Sequence, residues 1–595
     1  MFGWQGRIAR IDLTTGKWEV EEPPPSLLHR FIGGRGLGGH LLAPFITRTW
    51  DDPAMPVILL TGPLVGTASP TSGRMVFMSR SPLTGTVTDA SVGGTFGTAM
   101  KNAGFDGLMI TGKAPRLCGI EITDNRLVIT DASALAGQGT TAVFQILKTK
   151  GSLAAVGPAA ENRVLFANIM VDGHFAVGRN GLGLVFAEKN LKYITVSGHG
   201  RTAVKDAALL RTASQDIYRL VSASPALSGR FGISNFGTAA LYDLMDSRHM
   251  MPTRNFRKTR FSHAPAMNAH AYHRQYNPVR TGCRGCHIRC KQRSEKGLPL
   301  PEFETMSHFS ALLENERLET VMEANRICND LGMDTISAAA TLACHSEILD
   351  KRLSPDLIPA LLADIGYGRT PGRLLGQGSA RYARACRRPE AAMTVKNLEL
   401  SAYDPRGAYG MALAFAVSNR GACHLRAYPI SHEILRKPVA TNRLSFEGKA
   451  RIIKISEDLN AVVDSLTACK FIFFAASLEE YAKVFEAVTG METSAHDLLK
   501  TGERIVYQER IMNAANGFDD KDDDLPGRFF EADGDRPPID RRAFLTARAN
   551  YYLVRGLDPK GRPTRDKAAE LGLDRLFTAL IDRRKQDTSS NEPDV

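Results

Sequence analysis

The sequence predicts an α+β protein, with a β-rich N-terminal part followed by two mainly helical parts. Three observations predict it. The first two hundred residues read as short strands separated by turn residues. From about residue 204 the pattern changes to helical spacing. The length, 595 residues, is enough for more than one core.

Taken in order, WQGRIARIDLTTGKWEVEEP reads as a hairpin around the TTGK turn. PVILLTGPL, RMVFMSR, GLMITGKA, CGIEITDNRLVITDA and KYITVSG are further strands with turn residues between them. LLHRFI reads as a short helix before GRGLGG at 34–39. That stretch fits G-x-G-x-x-G, but no strand leads into it and no acidic residue follows about 20 positions on, so a dinucleotide site is not predicted. The glycine clusters at 33–39 and 93–97 predict close approach of backbone to a bulky ligand. LETVMEANRICNDLGMDTISAAATLACHSEILD and KARIIKISEDLNAVVDSLTACKFIFFAA carry helical spacing. The expected divisions are 1–203, 204–398 and 399–595. GFDDKDDDLPGR is expected as a solvated surface turn, and the tail QDTSSNEPDV has a disordered composition.

Apolar residues make up 43% and charged residues 23%, ordinary for a soluble globular chain. No apolar run reaches the roughly 18 residues of a membrane span. The start has no apolar signal core and no twin-arginine pair, so the expected location is cytoplasmic. The net charge of +12 suits an acidic protein partner as well as nucleic acid, and no nucleic-acid motif accompanies it. Nine cysteines, an odd and sparse set, argue against a disulfide framework.

Three of them crowd into TGCRGCHIRC: Cys283, Cys286 and Cys290. Both iron–sulfur clusters and structural zinc use C-x2-C pairs. No second pair follows within a few tens of residues, which favours a [4Fe–4S] cluster with a remote fourth thiolate over zinc. Three unrelated loop cysteines are the bland alternative.

Several motifs then converge. TGPLVGTASPTSGR, SPLTG, GGTFGTAMKNAGFDGLMITGKA, VGPAAENRV, DGHFAVGRNGLG, the cysteine cluster, LPEFET, EANRICNDLGMDTIS, LELSAYDPRGAYG, SNRGACHLRAY and DSLTACKF stand in one order along the chain. In this order the sequence resembles the aldehyde ferredoxin oxidoreductase family of tungsten, sometimes molybdenum, pterin enzymes. The resemblance implies an N-terminal domain of two β-sheets as a base for the cofactor, with two mostly helical domains over it. It also implies one metal between two pterin dithiolenes, a [4Fe–4S] cluster beside it and Mg2+ between the pterin phosphates.

Residue by residue, the resemblance gives Cys469 as the fourth cluster ligand beside Cys283, Cys286 and Cys290. It gives Arg74, Gly93, Ala176, Gly178 and Arg179 as contacts to the phosphate region. It gives Met333, Asp334 and Asp464 to the pterin rings, whose N–H donors suit carboxylates. Lys470, Arg420 and Arg426 match basic contacts. Apart from the family, each such arginine would read as an ordinary surface ion pair. Glu304 and His424 match the catalytic pair. Several positions depart from the pattern. Ser91 replaces an asparagine whose carbonyl helps hold the magnesium, a role a serine carbonyl keeps. Phe175 replaces an arginine, Asn329 an aspartate, and Thr467–Ala468 a Gly-Leu. Glu323 retains one residue of an E-x-x-H iron site, but Arg326 replaces its histidine, so no inter-subunit iron is expected and the two are expected to pair.

The implied reaction takes an aldehyde and water to a carboxylic acid, with Glu304 as general base and His424 as hydrogen-bond donor. Electrons would leave through the cluster to an acidic ferredoxin or an Fe–S partner subunit, docking on the basic stretches 248–261 and 284–293. Two other functions stay open: reduction of an aromatic acyl-CoA by the same cofactors, and a non-catalytic metal-binding scaffold. Homo- and hetero-oligomers are equally compatible.

Overall fold

The computed structural model describes residues 1–532 and 534–582, so the tail at 586–595 lies outside the described residues. The first part holds two six-stranded sheets. One has the order β2-β1-β6-β3-β4-β5, built from β1 (Ile8–Asp12), β2 (Lys17–Glu21), β3 (Val57–Leu60), β4 (Met75–Arg80), β5 (Val87–Val92) and β6 (Gly107–Thr111). The other has the order β11-β10-β9-β12-β7-β8, from β7 (Cys118–Thr123), β8 (Arg126–Asp131), β9 (Ser152–Val156), β10 (Ile169–Val171), β11 (Phe175–Val177) and β12 (Leu191–Ser197). Each expected strand is present. The sequence reading passed over β5, β9, β10 and β11. β9 and β10 are buried throughout and, Ser152 apart, apolar, so they lack the alternation that marks a half-exposed strand.

Beyond Ser197 the chain is mainly helical, beginning with Ala207–Ala223, whose N-cap Asp206 accepts from two backbone amides. The stretch LETVMEAN…SEILD, read as helical, holds two helices, Leu318–Leu331 and Thr335–Ile348. Gly332, at φ 76°, ends the first, and Asp334 caps the second. The joint docks on the N-terminal part: the Asn168 amide donates to the Gly332 carbonyl and the Asp334 amide to the Phe166 carbonyl, at 2.8 and 3.1 Å. The helix Lys449–Leu466 ends at Thr467, φ 55°, a left-handed position that glycine would hold without strain.

The structure corrects two local expectations. GRGLGG lies in a helix, Gly34–Leu42, and its glycines are packed against the protein itself, Gly34 and Gly36 on backbone carbonyls and Gly38 and Gly39 on the side chains of Met78 and Gln508. A side chain at Gly33 would meet the Thr61 carbonyl at 2.8 Å, and one at Gly34 would strike the Asp464 carbonyl and Thr467. Small residues here let this helix lie against the end of Lys449–Leu466. Nor is the turn around 517–528 simply solvated. Asp523 is fully buried and bonds to Lys396 at 2.5 Å, to Tyr552 at 3.0 Å and to Arg510. No described helix is long and apolar enough to cross a membrane.

Candidate active site

A cavity of about 520 Å³ lies where ends of both sheets meet the helical parts, and every catalytic, cofactor and cluster candidate named above lines it. The sequence places these residues hundreds of positions apart, and the fold brings them to one surface.

Cys283, Cys286 and Cys290 stand on the loop of a hairpin formed by β13 (Val279–Thr281) and β14 (Lys291–Arg293). Gly285, at φ 70°, allows the sharp turn between the first two. Cys469 follows the left-handed end of Lys449–Leu466 and faces the same loop. Burial, then the charges of Cys469 and Cys283, push the Cys286 thiol up to about 12. Burial raises Cys290 well above its ordinary value and raises Cys469 as well. Thiols so placed are deprotonated only when a cationic centre joins them. Among the described residues no three His, Cys, Asp or Glu side chains converge on a single ion. A cubane cluster does not require that convergence, since its own iron and sulfide occupy the space between the thiolates. Gly93 also serves this loop: a side chain there would strike Cys283 Sγ and meet the Phe175 ring at 3.2 Å.

Below the thiols lies a dense ionic floor. Arg74 Nε and Nη2 donate to Ser91 Oγ and its carbonyl at 2.8 and 2.6 Å, so one lone pair of that carbonyl is already taken. Asp89 receives both Arg426 Nη atoms, and its carbonyl accepts from Arg420. Burial alone would raise the Asp89 pKa, but Arg426, Arg35 and Arg420 outweigh it and hold the group well below the usual carboxylate range. Arg35 bonds Glu509 through two contacts of 2.6 and 2.7 Å and lies 3.5 Å from Asp464. Asp464 Oδ2 accepts from Lys470 at 2.7 Å. Burial lowers Lys470 to about 8.

On the opposite wall, Arg179 donates to the Ala422 carbonyl at 2.7 Å and to the Glu399 carbonyl, and lies 3.6 Å from Asp334. Both Asp334 oxygens are engaged in capping their helix, by Ile336 and Ser337. Met333 offers its carbonyl to Asn168 at 2.9 Å, and Asn329 offers its own to Thr140 at 2.9 Å. Ala176 lies on β11, and space beyond Gly178 is open. Phe175 stands where the resemblance expects an arginine, and Lys291 Nζ lies 5.6 Å from its ring, so a cation is present nearby. Arg326 pairs with Glu323 through two contacts of 2.8 and 2.6 Å, as expected.

Glu304 stands in the first turn of the helix Phe303–Phe309. The Ala402 amide donates to its Oε2 at 2.9 Å, while Oε1 lies 3.4 Å from His424 Nε2. Burial is the main cause that raises Glu304 from 4.5 to about 8; the Ala402 amide and Arg179 oppose it. His424, 8% exposed, is held neutral by burial and then by Arg179 and Arg420. The pair is therefore a weak acid beside a neutral imidazole at 3.4 Å, and Glu304 Oε1 makes no hydrogen bond to any described residue.

Sequence reasoning missed Arg35, Asp89, His174, His308 and Tyr428. His174 is 6% exposed, and neither ring nitrogen has a partner among the described residues. Burial, then Lys291 and Arg293, lower it to about 2. His174 stood in the quoted DGHFAVGR stretch, beside residues already singled out, and was the one legible omission.

The cavity's wall also carries unsatisfied polar atoms. Arg179 Nε, Arg420 Nε, Arg426 Nε, His424 Nδ1, Asn168 Oδ1 and Asp464 Oδ1 are buried without hydrogen-bond partners among the described residues. Such atoms are costly unless a polar ligand meets them. Donors and acceptors in this mixture fit a large group with phosphates and ring amides.

Comparison with known proteins agrees. Residues 8–198 match the model for the N-terminal domain of aldehyde ferredoxin oxidoreductase, and residues 212–573 match that for its domains 2 and 3. The chain is 35% identical to a tungsten-containing aldehyde ferredoxin oxidoreductase of Thermococcus kodakarensis, over 96% of this chain and 99% of that protein. It is 34% identical to one from Pyrococcus furiosus, over 97% of this chain and all of that protein. The structure superposes, with a TM-score of 0.84 at 19% identity, on a chain of the active site complex BamBC of benzoyl coenzyme A reductase with 1,5-dienoyl-CoA. That match covers 98% of this chain and 99% of the other, and is a likeness of fold. By domain models covering most of its length and by these relatives, the chain belongs to the aldehyde ferredoxin oxidoreductase family of oxidoreductases.

Proposed function

We propose that the protein is a tungsten- or molybdenum-pterin oxidoreductase that converts an aldehyde and water to a carboxylic acid, two protons and two electrons. The observation that carries this is the Glu304–His424 pair, 3.4 Å apart on the cavity wall. The bound metal supplies the two-electron acceptor, and a [4Fe–4S] cluster on Cys283, Cys286, Cys290 and Cys469 supplies a one-electron exit.

The chain's own residues would handle the protons. A protonated Glu304 donates to His424 Nε2, which leaves Nδ1–H to bind the substrate oxygen and stabilise its developing charge. An ionised Glu304 takes the proton from the attacking water or the aldehyde hydrate. Asp464 Oδ1 would accept from a pterin ring, and Arg420 and Arg426 would meet its phosphates. Ser91 would share its carbonyl between Arg74 and a magnesium ion.

Electrons would pass to an acidic ferredoxin or Fe–S subunit. Within 248–261, Arg260, Arg257 and Lys258 face Asp246, Glu347 and Glu314 at 3.3, 2.8 and 3.6 Å, so that stretch is largely compensated. Arg284 and Arg289, exposed on the cluster loop itself, are the better docking charges. Ferredoxin reduction should slow as ionic strength rises; a flat response would discard the docking charges.

The test of the function is metal analysis of protein expressed with tungstate, followed by a dye-linked assay with aldehydes and with aromatic acyl-CoA. Tungsten or molybdenum, about four irons per chain and aldehyde-dependent dye reduction are expected. Cys469→Ser should lose iron and brown absorbance, and Cys386→Ser, outside the cavity lining, should keep both. Stoichiometric zinc without tungsten, molybdenum or iron would point to the scaffold. Turnover of acyl-CoA alone would point to the reductase reaction.

A further inference from the structure

Beyond Glu304 and His424 the cavity wall is built of rings. Tyr403, 2% exposed, lies 5.4 Å from the His424 ring and 5.8 Å, edge-to-face, from Tyr428. Tyr428 meets Phe474 at 5.8 Å, and Phe474 meets Phe471 at 5.9 Å. These rings all line the cavity and run unbroken from the histidine to Phe471; Leu459 and Ile455 line the same cavity, and Ile455 is 53% exposed.

Two features mark this wall as more than packing. Tyr428 has a φ of 49°, a left-handed conformation that a bulky aromatic residue adopts only under strain. Such strain concentrates where a side chain is presented to a ligand. Its phenol and that of Tyr403 lie 3.2 Å apart, so one donates to the other and a single O–H is left to meet the oxygen of a substrate.

The second feature is charge. Among the described lining residues from 427 to 474, the charged ones are Asp464 and Lys470, which are bonded to each other. His432 is pushed toward the neutral form by burial, and its Nδ1 faces the Val439 carbonyl at 3.1 Å. Arg420 and Arg426, beside His424, are assigned above to the cofactor phosphates, so among these rings a substrate's phosphate, second carboxylate or long charged tail would be desolvated without a cation of its own. A short aliphatic substrate would leave the rings uncovered. A flat aromatic ring covers them and packs edge-to-face against Tyr428 and Phe474.

We infer that the substrate class is an uncharged aromatic aldehyde, its ring held by Tyr428 and Phe474 and its formyl carbon presented to Glu304 and His424. This rests on the aldehyde-oxidising reading above. Atoms balance as ArCHO plus water giving ArCOOH, two protons and two electrons, the electrons leaving by the acceptor already named.

The experiment uses the metal-loaded enzyme and two readouts. The first compares kcat/KM for benzaldehyde, acetaldehyde and succinic semialdehyde. The second titrates benzamide and acetamide, which are not oxidised, by calorimetry. Benzaldehyde should exceed both other aldehydes by about tenfold or more, and benzamide should bind about tenfold tighter than acetamide. Phe474→Leu should shrink the benzaldehyde-to-acetaldehyde ratio about tenfold, mainly through KM, and Phe471→Leu at a less buried ring should shrink it less. Aldehyde turnover without an aryl preference, or a Phe474→Leu variant that lowers all substrates alike, overturns the inference and leaves the reaction standing. Absence of aldehyde turnover, with benzamide still the tighter ligand, overturns the reaction and leaves the aryl cleft standing.

Discussion

Asp89 and Glu304 are both removed from water in the same cavity, yet they end in opposite protonation states. Around Asp89 three arginines converge, and the carboxylate stays ionised despite its burial. Around Glu304 the nearest groups are a backbone amide and a neutral histidine, so burial prevails and the group holds its proton to about pH 8. Desolvation is common to both, and the number of cations in contact decides the outcome. The floor is thus a permanent ionic mould, and the pair above it is a proton store that can be emptied.

The largest expected effect breaks the second half of this contrast. Glu304→Gln keeps the shape and removes the proton store, and should lower aldehyde turnover by about 10²–10⁴-fold with metal content unchanged. The same variant should gain stability. Folded protein keeps the Glu304 proton up to about pH 8, whereas the unfolded chain releases it near 4.5. Folding therefore binds a proton between these values, and wild-type stability falls as pH rises through that window. Melting temperatures across pH 5–9 should show Glu304→Gln drawing ahead of wild type as pH rises.

Breaking the first half comes next. Asp89→Asn leaves Arg426, Arg35 and Arg420 short of their counter-charge, and should cost about 3–5 kcal/mol in chemical denaturation. Its loss should appear as cofactor-poor protein, unlike the cofactor-replete Glu304→Gln. Equal metal content in the two variants would mean that floor and pair are not distinct.

The mildest test sharpens the contrast. With Glu304 titrating near 8, wild-type kcat should rise about tenfold between pH 7 and its alkaline plateau, while metal content stays level. A rate flat across that range would remove Glu304 from the role of base.

Legibility followed the same division. Local chemistry was readable: Gly332 and Asp334 stop one helix and start the next within EANRICNDLGMDTIS, and the three cysteines at two close spacings marked a loop that lines the cavity. Glu304 and His424 were readable only through resemblance to a family, since an isolated glutamate and histidine have no local signature. Of the floor, Arg74, Arg420, Arg426, Asp464 and Lys470 were readable through the same resemblance, but Arg35, Asp89 and Glu509, and the pairings that join them, were not. Arg35 meets Glu509 across 474 positions and Asp89 meets Arg426 across 337, and nothing in GRGLGG or VTDASV marks a buried ion pair. The glycines of GRGLGG were a true signal with the wrong object, since they admit a neighbouring helix and thereby carry Arg35 inward.

Cys290 and Cys469 are 179 positions apart, and one lies on a hairpin loop while the other follows a helix end. A cluster bound by both is a covalent tie that closes a very long loop, the kind of crosslink that restricts an unfolded chain most. Oxygen damage to that cluster would then loosen the architecture as well as interrupt the current. Exposure to air should lower the melting temperature together with the iron content, and anaerobic reconstitution should restore both.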